Sequence, residues 1–127
     1  QAFVNIALIP DGGLNWLLTR TVGYRLAYQM AIEGNNVSAK RCLELGLANK
    51  VVTHDQLMHA SLEWAESLSK KSSQSLRETK RLMRMAMTND YESVFEQEAE
   101  ANNTLHGSKD SLEAIQAFFE KREPNFD

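Results

Sequence analysis

Cysteine is almost missing from this chain: Cys42 stands alone among 127 residues. One thiol closes no internal disulfide and supplies too few ligands for a zinc site. A reducing compartment, the cytoplasm, is the expected location. His54, His59 and His106 sit at no ligand spacing, so no metal centre is expected. Proline occurs only at Pro10 and Pro124, which leaves the long stretch between them open to helix formation. No apolar run approaches the roughly 20 residues of a membrane span, and no signal peptide is visible. The C-terminal Asn125-Phe126-Asp127 is not a peroxisomal address. Neither sign of charge dominates: 14 Lys and Arg against 17 Asp and Glu leave a net charge of −3. That balance gives no footing for nucleic acid or an anionic membrane as partner. There is no Walker loop and no dinucleotide fingerprint, for which Gly12-Gly13 alone is too little.

What is present is an ordinary globular composition, 43% hydrophobic and 24% charged, enough for one core. The chain opens at Gln1 without a methionine and runs directly into Ala2-Phe3-Val4. Natural starts are usually polar and loose, so this one is expected to continue a segment begun upstream. Residues 2–9 read as a short buried strand, because Ile6-Ala7-Leu8-Ile9 is apolar without alternation. Pro10-Asp11-Gly12-Gly13 breaks it, and a short helix follows through Trp16, Leu17 and Leu18. A second helix is expected over 24–32 with Gly34 as its stop. Ser38 caps a third over 39–45, closed by Gly46. Residues 47–52 form the other strand candidate. From there everything reads as helix: 55–69 started by Asp55, a Ser-rich hinge at 72–75 leading to about 87, then 91–105, then 109–121. The whole is mostly α, with one or two short strands at the N-terminal end. Two such strands cannot form a stable sheet alone.

Three stretches together resemble a known family. Residues 3–23, FVNIALIPDGGLNWLLTRTVG, are similar to a segment in which an extended run ends in Ile-Pro, then a Gly pair, a short helix and Arg-x-Val-Gly. Residues 31–52, AIEGNNVSAKRCLELGLANKVV, resemble a Leu-Thr-Gly, Ile-Ser-Ala, Gly-Leu-Val, Val-Val succession. Residues 117–126, AFFEKREPNF, resemble a Phe-x-x-Lys-Arg-x-Pro-x-Phe ending. Order and spacing resemble the C-terminal part of the crotonase superfamily, the enoyl-CoA hydratases and isomerases. The resemblance implies the C-terminal portion of a crotonase-like α/β fold. Residues 1–52 would then be the end of its core spiral, and 53–127 a helical region used in oligomerisation. It also implies that the two backbone donors of the oxyanion hole lie upstream of residue 1, so this chain alone is expected to be inactive.

The same resemblance assigns candidate residues. Phe3 falls where hydratases carry a water-activating glutamate, and a phenyl ring moves no proton. Asp11 falls where several isomerases carry a carboxylate, which makes it the candidate proton shuttle. Its alternative is turn and helix-start chemistry. Leu14 and Asn15 depart from the family's usual Gly and Thr. Trp16 is a candidate lining residue for the acyl group; Leu17 and Leu18 are expected in the core. Phe118 and Lys121 match positions that touch the CoA part in some relatives, against the alternatives of a core ring and a solvated helix end. Lys80, Arg81 and Arg84 are expected on a solvated face, and Met83, Met85 and Met87 as gap-filling core or interface residues. Cys42 is expected as a small buried residue.

The implied function is acyl-CoA processing in fatty acid metabolism, by an enoyl-CoA isomerase or hydratase. The acyl-CoA thioester is the partner, no cofactor is needed beyond the CoA of the substrate, and the assembly is a homo-oligomer, a trimer or dimer of trimers. The alternative is a non-catalytic acyl-CoA-binding or oligomerisation module, favoured by Phe3 and Leu14.

Overall fold

The computed structural model describes residues 2–126. Seven helices are found there: α1 Leu14–Val22, α2 Tyr24–Glu33, α3 Ala39–Glu44, α4 Leu57–Ser69, α5 Ser73–Met85, α6 Tyr91–Leu105 and α7 Lys109–Glu120. Two 3₁₀ turns, Ala2–Ile6 and His54–Gln56, precede α1 and α4. The chain divides into two compact units, one up to Asp55 and one from Gln56 onward.

In the first unit α1 and α2, joined at Gly23, pack on each other, and α2 also meets the 3₁₀ turn. Leu18 and Ala27 are the buried contacts. The turn is tied to the end of α2 by the Asn5 amide, which donates to Gly34 O at 3.2 Å. Gly34 ends α2 in the left-handed region, φ 61°, and its N–H closes on Met30 O. Only glycine fits here without strain. A Cβ at Gly34 would lie 2.8 Å from Asn5 Oδ1 and from Val4 Cγ1.

In the second unit α5 packs on α6. The starts of these helices are written in short polar side chains. Ser72, Asp90 and Ser108 each accept from the backbone N–H three residues on, as Ser38 does for α3. Each bond satisfies one of the orphan donors of a first helical turn. Buried apolar residues are Val94, Ala101 and Ala117.

The expected strands are not found among the described residues. Residues 2–6 coil into the 3₁₀ turn, and Ala7 takes φ 58° with its N–H on Val4 O. Residues 47–52 run without regular structure. A strand exists through its ladder, and neither segment has a partner strand within the described chain. The start of α4 also differs: Asp55 lies inside the 3₁₀ turn, and Gln56 is the cap. Leu17, expected in the core, is 50% exposed. Cys42 is half-buried, its Sγ 4.0 Å from Val37 O.

Gly34→Ala is expected to lower unfolding stability by about 1–2 kcal/mol, from the left-handed backbone plus the shift forced on Val4 and Asn5. Urea denaturation should show a lower midpoint with an unchanged slope. An unchanged midpoint would mean that the turn does not hold α2 as described.

Candidate functional site

Asp11 sits in the loop between the 3₁₀ turn and α1. Gly12 and Gly13 follow at φ 61° and 83°, with open space where a Cβ would stand. Gly13 caps α1 and, lacking a side chain, makes no side-chain cap bond. Asp11 is held at the helix start through its backbone carbonyl, which accepts from Leu14 N–H at 3.0 Å. Its side chain is exposed. The loop is tied a second time by Asn15, whose amide donates to Pro10 O at 2.6 Å. Asn15, which departs from the family pattern, therefore fixes the backbone just before Asp11. This tie is local enough to have been sought in the sequence, since an Asn shortly after a Pro-Asp-Gly turn is a ready donor to it.

Trp16 is 39% exposed, in the first turn of α1. The Arg20 guanidinium lies over its ring, Cζ 3.9 Å from the centroid, a cation–π contact at the i, i+4 spacing that the sequence reading passed over. The nearby groove between α1 and α2 is lined by Leu14, Leu18, Tyr24 and Tyr28, and Trp16 is not among its lining residues. Tyr24 and Tyr28 stack there at 5.8 Å between centroids.

Phe118 and Lys121 belong to the second unit, at the end of α7. Phe118 is not a core ring: it is 78% exposed and meets Phe119 edge to face. Lys121 is the C-cap of α7 and adopts the left-handed conformation, φ 55° and ψ 41°. The residue beside it carries the strongest electrostatics described. Arg122 places Nη1 and Nη2 on the two oxygens of Glu113, with Nη2–Oε2 at 3.0 Å, and Nε on Glu120 at 2.6 Å. Glu113 also accepts from Asn125 N–H at 2.8 Å. The guanidinium first, and then the Asn125 N–H, hold the Glu113 carboxyl down at about 2 from the usual 4.5. Glu120 is lowered by the Gln116 amide and then by Arg122, and Arg122 is raised by Glu113 and Glu120. None of this was legible in the sequence, because Glu113 and Arg122 are nine positions apart and bridge a helix to the tail beyond it.

The basic cluster on α5, Lys80, Arg81 and Arg84, is exposed as expected. Arg81 donates to Glu78 at 2.8 Å and crosses to Gln97 of α6 at 3.1 Å. His59 lies 3.5 Å from Glu63, both well exposed. Among the described residues no three His, Cys, Asp or Glu side chains gather as a metal site, and no helix is long and apolar enough to cross a membrane.

The comparisons with known proteins agree with the motifs. The family model described as "Enoyl-CoA hydratase/isomerase" matches residues 1–127. The chain belongs to that family, within the crotonase superfamily. Among characterised relatives, it is 32% identical over 126 residues to the trans-2-decenoyl-[acyl-carrier-protein] isomerase of Streptococcus mutans, covering 99% of this chain and 48% of that protein. It is equally 32% identical over 126 residues to the 1,2-epoxyphenylacetyl-CoA isomerase of Escherichia coli, with the same coverage. The crystal structure of an enoyl-CoA hydratase from Polaromonas sp. JS666 superposes with a TM-score of 0.95 at 28% identity, over 99% of this chain and 49% of that one. The chain thus spans about half the length of the relatives it matches.

The Glu113 carboxyl is expected to titrate near 2 by NMR, and to return toward 4.5 in Arg122→Gln. Because its folded pKa is depressed, its contribution to stability is full above pH 4.5 and is lost as pH falls through about 2. A wild-type midpoint near 4.5 would remove the ion pair from the solution structure.

Proposed function

We propose that the protein isomerises an enoyl thioester, with Asp11 as the carboxylate that carries a proton from one carbon of the acyl chain to another. The observation that carries this reading is the placement of Asp11. Its backbone holds the start of α1, its side chain is exposed, and its loop is tied at Pro10 by Asn15 and followed by two unobstructed glycines. A carboxylate on such a loop can reach a substrate carbon without rearranging a helix. In the reaction the Asp11 carboxylate removes a proton from C2 of a 3-enoyl thioester. The C2 electron pair joins the carbonyl, and the resulting dienolate is reprotonated by the same carboxyl at C4, leaving the double bond between C2 and C3. The enolate oxygen calls for two fixed N–H donors, which the family resemblance assigns to a segment before residue 1. The reaction needs no metal or redox group; CoA enters as part of the substrate.

Phe3 at the hydratase glutamate position favours isomerisation over water addition, and two of the relatives named above are isomerases by name. Trp16 is assigned to the acyl group, and Phe118 and Lys121 to the nucleotide end of CoA. The exposed rings of α6 and α7, Tyr91, Phe95 and Phe119, suit burial in a homo-oligomer, a trimer or dimer of trimers, formed by the second unit in the cytoplasm. The second reading, a non-catalytic acyl-CoA-binding or oligomerisation module, is favoured by Phe3 as well, together with Leu14 in the glycine loop.

The test is turnover of a 3-enoyl-CoA by the full-length protein. Asp11→Asn is expected to lower kcat by roughly 10²–10⁴-fold with KM little changed. An unchanged kcat would return Asp11 to the turn. Absence of turnover in the unsubstituted protein, with CoA binding retained, would favour the binding module.

A further inference from the structure

Lys121 is a lysine where the backbone calls for glycine. It and Ala7 are the two non-glycine residues with positive φ among the described ones. At Lys121 the chain closes α7 by the left-handed turn in which Arg122 N–H bonds back to Ala117 O at 3.1 Å. Helix α2 makes its left-handed end with a glycine, Gly34. An L-residue in this region is strained, and glycine would relieve the strain at no loss to the turn. Such strain persists where neighbouring contacts over-determine it, and it gathers at ligand clamps.

The contacts that over-determine Lys121 are those of Arg122. Its fork grips Glu113, about two turns back from the end of α7, while its Nε grips Glu120, so the residues on both sides of Lys121 are joined through one guanidinium. Asn125 N–H adds a third hold on Glu113, and Arg122 Nη1 donates to Glu123 O at 3.2 Å. The arrangement leaves the Lys121 side chain exposed, three positions after the exposed ring of Phe118. An exposed ammonium and an accessible aromatic ring three positions apart in sequence suit a phosphorylated nucleotide.

We infer that Glu113 and Arg122 form a positioning clasp, which holds Lys121 in its left-handed conformation so that its ammonium meets a phosphate on the nucleotide end of the acyl-CoA. This rests on the assignment of Lys121 to that end of CoA under the proposed function. Arg122 and Glu113 touch no substrate; they act through Lys121.

The experiment compares CoA with 3′-dephospho-CoA by calorimetry in the full-length protein and in Lys121→Gln, Arg122→Gln, Glu113→Gln and the double variant Lys121→Gln/Arg122→Gln. The unsubstituted protein should prefer CoA by roughly tenfold, the worth of one charge-assisted contact. Lys121→Gln and each clasp variant should bring that ratio close to one, and the double variant should lower it no further. A clasp that merely stabilises the fold would change melting temperature and leave the ratio intact. If Arg122→Gln does not fold, the near-isosteric Glu113→Gln decides. A ratio near one in the unsubstituted protein, or one that Lys121→Gln does not change, overturns the assignment of Lys121 and the clasp with it. A ratio lost in Lys121→Gln but kept in both clasp variants overturns the clasp alone.

Discussion

The described chain buries very little, and most of its structure answers to that constraint. Its buried apolar residues are Leu18, Val94 and three alanines, Ala27, Ala101 and Ala117. An alanine has little surface to remove from water, and burial contributes only about 25 cal/mol per Å². Ile9, Tyr91, Phe118 and Phe119, by contrast, are each 78% exposed. Helices so weakly packed are held by what lies within a turn or two of each residue. That is why the serine and aspartate caps matter, together with the Asn5–Gly34 contact and the Arg122 clasp. Large apolar side chains at helical spacing with nothing over them are surface prepared for contact.

The same constraint explains how much was legible beforehand. Local structure was. Ser38 starts α3 and Gly34 stops α2 where the sequence places them. The family was legible too, because its motifs are short local strings whose order carries the signal. What failed was whatever depends on neighbours. Residues 2–9 have the composition of a buried strand, but a short apolar run does not declare its own geometry. Without a ladder it turns on itself through Ala7. Leu17 has the pattern of a core residue and faces outward for want of a core. The bond from Arg81 to Gln97, sixteen positions apart, was not legible either.

The sequence proposes candidate residues by position and is silent on their mechanics. Motif matching picks out Asp11 and Lys121 but says nothing of what fixes them. Asn15 departs from the expected residue and still secures the loop, by donating to Pro10 O. Arg122 belongs to the terminal motif, yet its partner Glu113 lies outside it. A motif records which residues recur; the bonds that orient them are reached only through coordinates.

Asp11 and Lys121 are presented by the same backbone device under opposite conditions. Beside Asp11 the left-handed residues are Gly12 and Gly13, for which that conformation is free of strain, and a single amide bond from Asn15 suffices to steady the loop. At Lys121 the left-handed residue is itself the proposed ligand-holding one, so glycine cannot take its place without removing the ammonium. The strain must then be opposed by something stronger than a cap, and a bidentate Arg–carboxylate pair with a second carboxylate on its Nε is among the stronger exposed arrangements that side chains offer. The difference in how heavily the two loops are tied follows from which residue in each is required to keep its side chain.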